Sequence, residues 1–509
     1  EDIPLLIKNL NARLNQLEKN LDQKLLTQSP LSWEDVMPQL YEIGEKLRWS
    51  WGVVSHLNAV CNSSELREVH SNQQPKIVRF SNQLAQNEII YKALSDLKDH
   101  KRLENETQLR IIETELITMK NKGIGLEVEE KNLFNSRSER LAELSTIFSN
   151  NVLDATNNWS LLLKNPSEIE GLPERALETL ALAAKEAGDK TKEGNDPTVS
   201  TGPWRVGLDL PRYIPFQTYA KNRPIREKVY RAFVSRASDG TLNNKKIIEE
   251  ILDLRDKQAR QLGYKNWCEI SLATKMAENE KAVEILLEEL RSAAMPHAEK
   301  ELIQLRECAK RNGEDNNFEL SPWDISYWSE VLRKEKYDLD QEKLRPWFPL
   351  DQVLNGLFNL CKRLFEIEIE ETKDEAPIWH EDVKFFKVKN SDGQKIASFY
   401  LDPFSRPATK RGGAWMDECL CRNQKETDNI VLPVAYLICN QTPPIGNKPS
   451  LMSFEEVETL FHEFGHGLQH MLTTVNYPQA AGINNVEWDA VELASQFMEN
   501  WCLEDQTIS

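Results

Sequence analysis

A mainly α-helical fold carrying one small β-sheet is what this sequence predicts. Apolar residues recur at spacings of three and four through most of the chain, and clear alternation begins only near residue 378. The alternating stretch lies just before LFHEFGHGLQHML, residues 460–472, which gathers three of the eight histidines onto one predicted helix. The small sheet is therefore expected beside that helix.

With 509 residues, the chain is long enough for two or more subdomains on an extensive helical body. Its 40% hydrophobic and 28% charged residues, with a mean hydropathy of -0.56, describe a globular protein with a well-solvated surface.

Residues 1–195 form the expected N-terminal helical region, with LIKNLNARLNQLEKNL and LEVEEKNLFNSRSERLAELSTIFSNNVLDAT as its clearest helices. No heptad register persists, so helices packed within one domain are favoured over a coiled coil. GDKTKEGNDPTVSTGP, residues 188–203, is a polar, turn-rich loop, and WRVGLDLPRYIPF after it reads as extended. A helical body spans 196–375, carrying KNRPIREKVYRAFVSRAS, KKIIEEILDLRDKQARQLGY and EKAVEILLEELRSAAMPHAEKELIQLRECAKRNG.

Residues 376–449 read as a small β-rich subdomain. IWHEDVKFFKVKNSDGQKIASFYLDPF places an SDG turn between alternating runs, the pattern of a hairpin, and NIVLPVAYLICNQTPP adds a strand-like run closed by two prolines. Residues 450–509 then carry the histidine helix and its partner.

Charge and composition remove several function classes. The net charge of -18, from 81 acidic and 63 basic residues, argues against a nucleic-acid partner. There is no run of about 18 apolar residues, so no membrane span is expected. Eight cysteines without a C-x-x-C pair point to reduced thiols, and Cys419 and Cys421 read as ordinary ones. A cytoplasmic monomer is expected, with an organelle stroma or matrix as the alternative for a eukaryotic source. The first residues do not resemble a signal peptide, and the chain begins with Glu1 instead of Met, so a missing N-terminus is expected.

The predicted helix after residue 450 opens on a capping box, Ser453 to Glu456, and continues with Phe454, Val457, Leu460, Phe461, Phe464 and Leu468 as a buried stripe. His462 and His466 then fall one turn apart on one face, with Glu463 beside them. This H-E-x-x-H spacing suits two imidazoles on one zinc ion and a carboxylate that handles the proton of an attacking water. A helix with surface histidines would need no third ligand, so the third ligand is the test. NNVEWDAVELASQFMENW offers Glu487, Asp489, Glu492 and Glu499, in a segment whose Val491, Leu493, Phe497, Met498 and Trp501 read as a buried helix. His470, rotated by roughly 40° from His466, reads as a structural or supporting residue.

FHEFGHGLQHML, DAVELASQFMENW, CNQTPP and KPSLMSFEEVETLFHE together resemble the thimet oligopeptidase family of zinc metallopeptidases, in particular its oligopeptidase A branch of bacterial and plant organellar members. The likeness continues through FYLDPFSRPATKRGGAWMD, GPWRVGLDLPRYIPF and IEGLPERAL, covering nearly the whole chain. It implies a two-lobed, zincin-type helical metallopeptidase with a deep substrate channel, one zinc ion and short peptides as substrates. Position by position, it implies His462, His466 and Glu492 as metal ligands and Glu463 as the general base and acid.

Gln469 stands where relatives often have His, and Ala494 where they usually have Pro. Relatives also continue past the position of Ser509 with a histidine and tyrosines that stabilise the oxyanion, so truncation is expected at this end too. The function implied is a zinc-dependent endopeptidase. The alternatives are a catalytically impaired peptide-binding protein of this fold and a zinc hydrolase acting on something other than peptides.

Overall fold

The computed structural model describes residues 2–100, 102–426, 429–444, 446 and 448–508. Glu1 and Ser509, where the sequence reading puts its truncations, lie outside them.

The first part of the chain is a stack of long helices: α1 (Asp2–Leu26), α2 (Trp33–Val60), α3 (Ser64–Ala85), α4 (Glu88–Asp99), α5 (Glu106–Asn121) and α6 (Val128–Asn158). Leu10, Leu14, Leu17 and Leu21 of α1 repeat at helical spacing and are buried against Val36, Met37 and Ile43 of α2 and Ile90 and Leu94 of α4. Strand β1 (Leu161–Leu163), helix α7 (Glu174–Glu186) and strand β2 (Trp204–Val206) follow, with β1 and β2 antiparallel.

Next come α8 (Leu210–Tyr219), α9 (Arg223–Val234), α10 (Lys245–Gln261), α11 (Trp267–Leu272), α12 (Glu280–Arg311), α13 (Pro322–Tyr337), α14 (Gln341–Leu344) and α15 (Leu350–Phe365). The stretch read as extended, WRVGLDLPRYIPF, is strand only over β2 and turns into α8. Pro211 sits in the first turn, where a missing N–H costs nothing, and burial of Phe216 outweighs the break at Pro215.

The sheet before the histidine helix has five strands in the order β3-β4-β5-β9-β6. They are β3 (Glu368–Thr372), β4 (Lys384–Lys389), β5 (Lys395–Phe404), β6 (Trp415–Leu420) and β9 (Val434–Gln441); β7 (Asn423–Glu426) and β8 (Asn429–Val431) form a separate pair. The expected hairpin is β4–β5, and β9 adds parallel to β5. β6 pairs antiparallel with β9 and is an edge strand. The sequence reading did not single β6 out, because Asp417 and Glu418 interrupt its apolar pattern.

On this sheet lies α16 (Phe454–Met471), followed by α17 (Leu493–Asn500). Phe464 of α16 meets Phe399 of β5 edge-on, with centroids 5.4 Å apart, in a core shared with Leu357 of α15 and Leu437 of β9. The partner helix is shorter than expected. Residues 485–492 are not helical, and Leu493 and Phe497 are exposed instead of buried, leaving Met498 as the buried anchor of α17. Asn485 has a left-handed backbone with φ of 61°, which breaks any helix there. All eight cysteines are free.

Candidate metal centre

Helix α16 begins for a local reason. Ser453 Oγ accepts from the Glu456 N–H at 3.1 Å, and the Glu456 carboxylate accepts from the Ser453 N–H at 2.7 Å. Val457, Leu460, Phe461, Phe464 and Leu468 then bury one face and fix the rotation of the helix, leaving His462 and His466 part-exposed.

The two imidazole rings lie 4.9 Å apart at 84°. Their Nε2 atoms are 3.2 Å and 3.1 Å from the same oxygen of Glu492, and the three donor atoms lie within 4.8 Å of one another. Donors bound to zinc at about 2.0–2.1 Å sit roughly 3.3 Å apart at tetrahedral angles. The nitrogen–oxygen separations thus match edges of a zinc tetrahedron, and this donor set fits the ion.

Each donor is oriented by a second contact. Nδ1 of His462 hydrogen-bonds Glu499, which favours the tautomer that leaves Nε2 free to bind metal. Glu492 occupies the position just before α17 and accepts from Ser495 Oγ at 2.7 Å. Burial pushes its carboxyl up, but the Ser495 bond and the charges of His466 and His462 outweigh that and hold it below the ordinary value. Burial holds the His466 imidazole below its ordinary value.

Glu463 is only 6% exposed. Burial, helped by the charge of Glu492 and opposed by His462 and the Met416 N–H of β6, pushes its carboxyl up to about 7. A buried carboxylate beside a metal site can exchange protons near neutrality.

Residues 216–509 match Peptidase family M3, and residues 3–131 match the Neurolysin/Thimet oligopeptidase N-terminal domain. The chain belongs to peptidase family M3. It is 46% identical to the organellar oligopeptidase A (chloroplastic/mitochondrial) of Arabidopsis thaliana over 512 residues, covering 99% of this chain and 63% of that protein. To oligopeptidase A of Escherichia coli strain K12 it is 42% identical over 504 residues, covering 97% and 72%. The chain thus spans less than two thirds of the Arabidopsis relative. Among solved structures, PZ peptidase A with an inhibitor gives a TM-score of 0.51 at 14% identity, covering 97% of this chain and 68% of that one, which supports the fold.

In this M3 chain the four downstream acids separate by position. Glu492 reaches both imidazoles, and Glu499 reaches the far side of His462. Glu487 pairs with Arg110 of α5 at 2.7 Å, while Asp489 accepts from the N–H groups of Met276 and Ala277 at 3.0 Å and 2.9 Å. His470 is fully buried and outside the donor group; its Nε2 bonds the Leu420 carbonyl at 2.9 Å, tying the end of β6 to α16.

Sequence reasoning missed three supports: the orienting role of Glu499, the bond from Ser495, and Gly465. A Cβ on Gly465 would lie 2.5 Å from the Ala494 carbonyl oxygen and 2.6 Å from the Ser495 Cα, so the glycine lets α17 approach α16 closely enough to deliver Glu492. The glycine inside H-E-F-G-H was the available signal.

Proposed function

We propose that this chain is a zinc-dependent endopeptidase acting on short peptides, with His462, His466 and Glu492 as zinc ligands and Glu463 as general base and acid. The observation that carries the reading is the meeting of three donor atoms within 4.8 Å on the face of α16 beside a buried carboxylate. Bound there, zinc supplies Lewis acidity toward a peptide carbonyl and lowers the pKa of an attacking water.

The chain's own groups do the rest. Glu463 takes the proton from the attacking water and returns it to the leaving amine. Glu499 holds the His462 ring in register, and burial beside the edge strand confines the Glu463 carboxylate. Family membership supports peptides as the substrate class, and the names of the relatives support a cytosolic or organellar setting. Among the described residues no helix is long and apolar enough to cross a membrane.

Substituting Glu463→Gln is the test. Cleavage of an internally quenched fluorescent peptide should be lost while zinc stays bound; cleavage that survives the substitution removes the assignment.

A further inference from the structure

Apart from the candidate metal centre, a cavity of about 560 Å³ opens among the N-terminal helices. Helices α2, α3, α4 and α5 wall it, and Leu40, Trp51, Phe80, Leu84 and Met119 make its lining mostly apolar. A volume of this size suits a small organic ligand.

Two glycines of α2 enlarge this space. Gly44 and Gly52 both line the cavity, and a Cβ at either position would meet nothing within 4 Å. Glycine inside a helix is destabilising relative to alanine, and no neighbour at either position demands it. What the two missing side chains leave is room in the cavity wall.

The charged residues on the wall are Glu45, Arg48 and Glu115. Arg48 pairs with Glu418 of β6 at 3.1 Å and donates to the Tyr41 hydroxyl at 3.1 Å, and that hydroxyl donates to Glu45 at 3.2 Å. Glu115 of α5 is different, for it has no hydrogen-bond or ion-pair partner among the described residues. Burial alone pushes its carboxyl up. Lys122 stands two turns further along, roughly 10 Å by helical rise, and does not line the cavity.

A carboxylate in an apolar wall is costly until a cation or a hydrogen-bond donor reaches it. The complement of this cavity is therefore an apolar body that ends in an ammonium group, whose charge makes the missing pair. We propose that the cavity is a binding site for a small amphiphilic amine, with its apolar body against Trp51 and Phe80 and its ammonium on Glu115. Such binding needs neither zinc nor peptidase chemistry.

Isothermal titration calorimetry on the parent chain tests this with three probes of one shape: 4-phenylbutylamine, 4-phenylbutanol and 4-phenylbutyrate. The amine should bind about tenfold more tightly than the alcohol, as a charge-assisted pair would give, and the carboxylate should bind most weakly. Glu115→Gln should shrink the advantage of the amine to about twofold or less and leave the alcohol unchanged. Gly44→Leu fills the cavity and should weaken amine and alcohol alike by about tenfold or more. Both variants should keep the far-UV circular dichroism of the parent. Equal binding of amine and alcohol, an advantage that survives Glu115→Gln, or full affinity in Gly44→Leu overturns the proposal. Should a variant unfold, two readouts on the parent decide: the order amine, alcohol, carboxylate must hold, and a zinc chelator must leave amine binding unchanged. Another order, or amine binding that is lost with the zinc, overturns it.

Discussion

Helix α16 presents His462, Glu463 and His466 from a capped helix with a buried face, whereas Glu492 arrives on residues 482–492, a stretch with little regular structure of its own. The helix is held by neighbours in sequence and by the sheet beneath it. The stretch is held by distant parts of the chain: Arg110 on Glu487, Thr114 on Asn485 at 3.0 Å, and the Met276 and Ala277 N–H groups on Asp489. Gly482, with φ of +64°, lets it pass against His470, where a Cβ would lie 2.5 Å from Nδ1. The histidine half of the proposed metal set is thus positioned by local rules, and the glutamate half by long-range contacts.

The comparison can be broken most severely where the two halves touch. Gly465→Val forces the backbone of Ala494 and Ser495 away from α16, so zinc affinity and peptide cleavage should both fall by roughly a hundredfold or more. Wild-type affinity in that variant would show that the close approach is not needed.

Removing an orienting group should cost less. Glu499→Ala leaves all three donors in place but frees the His462 ring, and zinc affinity by competition with a chelator should drop by about 10- to 100-fold.

Asp489→Ala probes the long-range half alone. It leaves Glu492 in the sequence but releases the stretch from the Met276 and Ala277 N–H groups, and kcat/KM should fall by about tenfold through misplacement of the ligand. The thermal midpoint should change little, because α16 and its core are untouched.

The smallest effect belongs to the local half. Ser453→Ala removes the cap and should cost about 1 kcal/mol in denaturant unfolding. Activity should stay within about twofold, since the buried stripe still sets the rotation of α16.

The same contrast governs how much could be read in advance. α16, its capping box and its stripe were legible because each depends on residues within a turn or two. The β4–β5 hairpin was legible for the same reason, through its turn and alternation. Val491 was misread as helical, and Leu493 and Phe497 as buried, because their spacing mimics a buried periodicity, while contacts that fix the stretch before α17 lie more than two hundred residues away, at Met276 and Ala277. α8 was misread because two prolines suggest an extended chain, although Pro211 falls in the first turn and Phe216 is buried. The four downstream acids could not be ranked from the residues alone; resemblance singled out Glu492, and the geometry separates the roles of the other three.

Zinc content after dialysis is the most direct measurement. The parent chain should retain about one zinc, and Glu492→Ala and His466→Ala should each lose it under the same conditions. A Glu492→Ala chain that keeps a full equivalent of zinc at the parent's affinity would contradict the shared site.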